Sequence, residues 1–114
     1  MRILIAEDHE ELRDLLSDLL TQKGHEVVAT KNGDEALRTY LDGETFDCVI
    51  TDYQMPRKNG VVLIMDIRKH NPNQKCILVS GDPPQIPDFV RKDTGDFPIL
   101  RKPYRNEDLL SLLA

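Results

Sequence analysis

The chain is predicted to form an α/β domain, a doubly wound five-stranded parallel sheet in strand order 2-1-3-4-5 with helices layered on both faces. Two observations give the class. Short apolar runs and segments of helical periodicity alternate from end to end. Five such units in 114 residues imply parallel neighbours, which need right-handed crossovers of about a dozen residues or more. A third observation bears on the order. Glu7 and Asp8 close one apolar run, Asp52 another and Lys102 a last one. The order 2-1-3-4-5 sets the first and third strands side by side at the switch point, where open α/β sheets place their ligand sites.

Residues 2–6, Arg-Ile-Leu-Ile-Ala, read as the first strand. Leu12, Leu15, Leu16, Leu19 and Leu20 then fall at helical spacing, predicting a first helix with its leucine stripe in the core, and Gly24 stops it. A partner-helix interface is the lesser reading of that stripe. Residues 25–29 form the second strand. Asn32 with Glu35 three residues on resembles a capping box leading into Ala36, Leu37, Tyr40 and Leu41. Residues 46–51 are the third strand, and Asn59-Gly60 opens a third helix with Val61, Ile64 and Met65 on one side, ended by Asn71-Pro72-Asn73. Residues 76–80 are the fourth strand. Pro83, Pro84 and Pro87 deny backbone donors to any helix that contains them, so the fourth helix is expected to be short, to start at Pro87 and to bury Phe89 and Val90. Residues 97–101 give the fifth strand, and Asn106 is expected to cap a last short helix carrying Leu109, Leu110 and Leu113.

The length suits one domain spanning residues 1–114, with a core large enough to need neither disulfides nor structural metal. Acidic residues outnumber basic ones by 20 to 15, and no basic cluster exceeds Arg57-Lys58 or Arg101-Lys102, so direct nucleic-acid contact by this domain is not expected. Arg57-Lys58 itself reads as a solvated loop pair. Cys48 and Cys76 lie within apolar runs and read as buried free thiols. With charges at Arg2, Glu7 and Asp8 there is no signal-peptide pattern, and nothing approaches the ~18 apolar residues of a membrane span, so a cytoplasmic setting without membrane insertion is expected.

Carboxylates converging on one sheet edge carry chemistry. Two like charges ~4 Å apart at an effective dielectric of ~20 repel by about 4 kcal/mol, so three carboxylates strongly favour a divalent cation. Magnesium suits best, because it prefers oxygen ligands and is typically held by one or two carboxylates with phosphate oxygens and water. Asp8 and Asp52 are the expected direct ligands, with Glu7 acting through water. A carboxylate can attack phosphorus, and Asp52 is the proposed acceptor, with the Lys102 ammonium and the Ser80 hydroxyl on phosphoryl oxygens. Singly, each residue has a plainer role: Asp52 as a turn cap, Glu7 to Glu11 as an acidic helix start favoured by the helix dipole. Convergence is what outweighs these. His9, His25 and His70 share no such convergence and are assigned to surface or packing.

Glu7-Asp8, Asp52 followed by Met55-Pro56 and Gly60, Ser80, and Lys102-Pro103, in this order on an alternating β/α chain, closely resemble the receiver domain of two-component response regulators. The resemblance covers essentially the whole chain. It implies a flavodoxin-like three-layer fold and an aspartyl-phosphate signalling domain rather than a turnover enzyme. It also implies Mg2+ with the Gln54 backbone carbonyl as a further ligand, and a phosphohistidine on a histidine kinase or phosphotransfer protein as donor. On phosphorylation Ser80 would move toward the phosphoryl group and repack the surface around the fourth helix and fifth strand, changing contact with an output partner or effector domain that the sequence does not name.

The chain departs from the family at Ile99, where many receivers carry an aromatic residue whose rotation reports phosphorylation, and in the prolines before the fourth helix. Partners are therefore expected to read a loop there rather than a helix face. Gln54 and Asp82 occupy positions that tune dephosphorylation in the family, with no direction implied. Whether the chain is a stand-alone regulator or a piece of a larger regulator or hybrid kinase is left open. Three other readings compete. A flavin mononucleotide carrier of the same topology would need a phosphate loop where Glu7 to Glu11 repel phosphate. An Asp-nucleophile magnesium phosphatase of the haloacid-dehalogenase type carries its nucleophile in a D-x-D motif after the first strand. The third is a receiver-like interaction module that works without phosphorylation.

Overall fold

The structure, a computed structural model, describes residues 1–82 and 84–114; Pro83, one of the three prolines before the fourth helix, lies outside the described residues. The elements are β1 (Arg2–Ala6), α1 (Glu10–Gln22), β2 (Glu26–Thr30), α2 (Gly33–Leu41), β3 (Cys48–Asp52), α3 (Gly60–His70), β4 (Cys76–Ser80), α4 (Asp88–Thr94), β5 (Ile99–Arg101) and α5 (Asn106–Leu113). All strand pairings are parallel and the order is β2-β1-β3-β4-β5, as predicted. Among the described residues no helix is long and apolar enough to cross a membrane.

Because side chains alternate along a strand, β1 divides its residues between two cores. Ile3 and Ile5 join Ile50, Ile77, Leu16, Leu20 and Leu109 beneath α1 and α5. Leu4 and Ala6 join Val49, Leu78, Leu63, Ile64 and Ile67 beneath α2 and α3. Burial on both faces is why the strands read as near-continuous apolar runs. Cys48 and Cys76 are buried free thiols assigned to opposite cores, and burial pushes them up to about 12 and about 11. The register pairs Ala6 with both Thr30 and Thr51, and Asp52 with Val79, so the residues after β1 and the end of β3 emerge side by side.

Several expectations shift. Leu12 and Leu15 are not core: they are 41% and 66% exposed and line a cleft of about 540 Å³ between α1 and α5. The apolar arc of α1 is wider than the sheet beneath it, so only Leu16 and Leu20 are fully covered. Leu41, too, is exposed at the end of α2. β3 starts two residues later than predicted, although Phe46 is buried and stacks on Tyr40. β5 starts at Ile99 because Pro98 has no N–H for the ladder, while its carbonyl accepts from the Leu78 N–H at 3.0 Å. α4 begins directly after Pro87, but with two turns it turns only one face inward, burying Val90 and leaving Phe89 59% exposed. Asn106 is the first residue of α5 rather than its cap; Arg105 holds the cap position without a side-chain bond. Asn32 and Asn59 do cap, accepting from the Glu35 and Val62 N–H groups at 2.8 and 3.0 Å.

The loop after β3 contains an arginine, Arg57, at φ 74°. Left-handed backbone costs an L-residue roughly 1–2 kcal/mol that glycine does not incur. Arg57→Gly is therefore expected to leave stability unchanged or raise it by up to about 1 kcal/mol, despite the added freedom of the unfolded chain. Urea unfolding checks this, and a loss above about 1 kcal/mol would contradict it.

Candidate phosphoacceptor and metal site

Glu7 is held by its backbone before its side chain enters the site. Its N–H donates to the Thr30 carbonyl at 3.1 Å, and its own carbonyl accepts from Arg13 Nη1 at 3.0 Å. The residue is 7% exposed. Its Oε2 accepts from the His9 N–H at 3.2 Å, and its Oε1 lies 3.3 Å from Lys102 Nζ. Asp52, at the end of β3, places Oδ1 2.9 Å from the same ammonium. Asp8 is exposed beside them, and one carboxylate oxygen from each of Glu7, Asp8 and Asp52 lies within 4.8 Å of the others. Three hard oxygen donors at that spacing fit a magnesium ion by their chemistry.

Burial, then repulsion from Asp52, raises the Glu7 carboxyl above its ordinary value, against the opposing pull of the His9 N–H and Lys102. Burial pulls Lys102 down, but its bonds to Asp52 and Glu7 together outweigh that and raise it. The ammonium thus stays charged throughout the neutral range. Tyr104, on the far side of a cis Lys102–Pro103 peptide, is raised chiefly by burial, with Glu7 and Asp52 adding to the rise and Lys102 opposing it.

The loop leaving Asp52 is tightly tied. Tyr53 N–H donates to the Val79 carbonyl at 2.8 Å, and Gly60 N–H donates back to the Tyr53 carbonyl at 2.8 Å. A Cβ on Gly60 would fall 2.2 Å from the Asp52 carbonyl oxygen, so only glycine closes this loop. Gln54 lies on its exposed side, lining with Asp8, Tyr53 and Asn59 an open hollow of about 540 Å³. Ser80 is buried, and its carbonyl accepts from the Lys102 N–H at 2.8 Å, but its hydroxyl donates to the Asp82 carbonyl.

The sheet edge therefore brings Glu7, Asp8, Asp52 and Lys102 together and sets Ser80 beside Lys102 with its hydroxyl turned to the Asp82 carbonyl. The histidines stand apart: His9 and His70 are exposed, and His25 Nδ1 meets the terminal amine at 3.0 Å. Lys58 is not simply solvated, being largely covered and ion-paired with Asp66, while Arg57 is exposed. Sequence reasoning missed Arg13, whose place one turn past His9 is visible only once α1 is set, and Tyr104, whose signal was an aromatic after Lys102-Pro103.

A doubly wound sheet ending in a carboxylate triad and a lysine at its switch point is compatible with a divalent cation and is the arrangement of a receiver-type α/β domain. The chain belongs to the response regulator receiver domain family, whose match spans residues 3–114, and so to two-component signalling. It is 35% identical over 111 residues to the DNA-binding transcriptional regulator NtrC of Azospirillum brasilense, covering 97% of this chain and 23% of that protein. Against chemotaxis protein CheY of Thermotoga maritima identity is 32%, over 98% of this chain and 93% of that one. The chain thus spans about a quarter of the NtrC relative but nearly all of CheY. Among solved structures, the response regulator TrrA of Thermotoga maritima, in complex with Mg(2+)-BeF, superposes with a TM-score of 0.85 at 28% identity, covering 98% of this chain and 95% of that one.

Because the Glu7 carboxyl is raised in the fold, the stability it contributes is present when it is protonated and is lost as pH rises through its folded value, above the ordinary 4.5. Glu7→Gln is accordingly expected to melt higher than the wild type at neutral pH without added metal, the difference fading toward pH 4. Melting curves across pH 4–8 in chelator test the sign, and a lower melting point for Glu7→Gln at pH 7 would contradict it.

Proposed function

We propose that this receiver domain, residues 1–114, accepts a phosphoryl group on Asp52 from a phosphohistidine of a histidine kinase or histidine phosphotransfer protein. The observation that carries the reading is the Lys102 ammonium 2.9 Å from Asp52, beside Glu7 and Asp8 at the sheet edge. In transfer, an Asp52 carboxylate oxygen bonds to phosphorus as the P–N bond of the phosphohistidine breaks; the electron pair leaves with the imidazole, which takes up a proton. Lys102 pairs with a phosphoryl oxygen and so exchanges its contact with Asp52 for one with the product. Ser80 leaves the Asp82 carbonyl and donates to another oxygen. Glu7, Asp8, Asp52 and the Gln54 carbonyl would hold Mg2+, which when bound neutralises part of the charge on the transferring group.

The output is a change in what binds the β4-α4-β5 region. Ile99 is 38% exposed and cannot make an aromatic swing, and residues 84–87 are not helical, so the loop before α4 is the segment for partners to read. The output partner or effector domain stays unnamed. The setting that suits such a kinase partner is the cytoplasm, and self-phosphorylation and self-dephosphorylation, not turnover of an external substrate, are its chemistry.

Intact mass after incubation with a small-molecule phosphodonor tests the reading. The wild type is expected to gain one phosphoryl group only with Mg2+, Asp52→Asn none, and Lys102→Ala to bind Mg2+ while transferring poorly. Equal labelling of wild type and Asp52→Asn would remove Asp52 as acceptor. No gain by the wild type would leave a phosphorylation-independent interaction module as the better reading.

A further inference from the structure

A second close approach at a glycine, outside the site itself, involves Gly33, the first residue of α2. A Cβ there would lie 2.7 Å from the Lys58 carbonyl oxygen, 2.8 Å from Lys58 Cβ and 3.1 Å from its Cγ, where ordinary contact is 3.4–4 Å. No left-handed backbone makes glycine necessary at this position. Alanine would otherwise be the better helix former, so close approach alone accounts for the glycine.

The two partners in this contact connect to opposite sides of the acid site. Gly33 follows Thr30, whose carbonyl accepts the Glu7 N–H at 3.1 Å and whose hydroxyl donates to the Ile5 carbonyl at 2.6 Å. The first turn of α2 is further fixed by the Asn32 cap. Lys58 closes the loop that carries Gln54: its N–H donates to the Pro56 carbonyl at 2.8 Å and its ammonium is tied to Asp66 of α3. The two ends of that loop are pinned at Tyr53 and Gly60. A push on Lys58 is therefore taken up by residues 54–57, between these ties.

We infer that Gly33 is a positioning residue, setting the separation between the Glu7–Asp8 half of the site and the Gln54 loop, and thereby the fit to a divalent cation. The inference rests on the metal-assisted phosphoacceptor reading above. Magnesium demands near-ideal octahedral geometry and tolerates ligand displacement poorly, so a loop pushed by more than half an ångström holds it less well.

The test is titration calorimetry of Mg2+ into the full chain as wild type, Gly33→Ala, Lys58→Gly and Gly33→Ala/Lys58→Gly. Gly33→Ala is expected to weaken the magnesium Kd on the order of 10-fold, as removal of outer supports does at metal sites. Lys58→Gly removes the Cβ and Cγ contacts but keeps the 2.7 Å contact with the Lys58 carbonyl oxygen, and is expected to bring the Kd of the double variant part of the way back. A merely structural glycine would change the melting point without moving the Kd. A Gly33→Ala Kd equal to that of the wild type overturns the inference, as does a double variant no tighter than the single one. Should Gly33→Ala fail to fold, the double variant carries the test: it must fold and bind magnesium more weakly than Lys58→Gly alone, or the inference falls. A wild type that takes up no magnesium would instead remove the underlying reading, which the wild-type titration alone distinguishes.

Discussion

Lys102 sits 2.9 Å from Asp52 and 3.3 Å from Glu7, and the upper edge of the sheet depends on that ammonium. Glu7, Asp8 and Asp52 bring three negative charges into a space a few ångströms across, two of them on largely covered side chains. A single ammonium leaves the cluster with two charges uncompensated, so Glu7 is held above its ordinary value by burial and by Asp52. The geometry is stable enough to preform and unsatisfied enough to favour a dication. By charge alone, a bare carboxylate triad repels a phosphoryl group until a cation offsets it.

The scaffold that enforces this crowding is ordinary packing. The register of β1 with β3 emits residue 7 next to residue 52, and burial of both sheet faces prevents either strand from slipping without turning its apolar residues to the wrong side. The N–H groups of Glu7, Tyr53 and Lys102 donate to the Thr30, Val79 and Ser80 carbonyls and tie the site's backbone to the ends of β2 and β4. The repulsion is thus borne by the two cores, and the part of the site left adjustable is residues 54–57, between the Tyr53 and Gly60 ties, with the Ser80–Asp82 turn.

Much of this was legible in the sequence because it follows from periodicity and from rare events. A carboxylate ending an apolar run is unusual, and three of them with a lysine pointed to the sheet edge where Glu7, Asp8, Asp52 and Lys102 come together. Strand order followed from the switch-point rule. Less legible was whatever depends on how wide a helix face the sheet can cover: Leu12 and Leu15 share the spacing of Leu16 and Leu20, yet the cleft toward α5 leaves them exposed. Phe89 and Val90 are adjacent, and only the orientation of a two-turn helix decides which one is buried. The ladder start of β5 and the cap of α5 turned on single backbone donors. Arg13 and Tyr104 reach the site from other elements, and no local pattern announces that.

The central claim is that the triad is built for a divalent cation and is strained without one. Thermal melting of the wild type at neutral pH against magnesium concentration tests it most directly. The melting point should climb with magnesium, corresponding to about 2.7 kcal/mol of added stability at a hundredfold excess over Kd, while Asp8→Asn stays nearly flat. A wild-type melting point indifferent to magnesium, or one that rises equally in Asp8→Asn, would contradict the account.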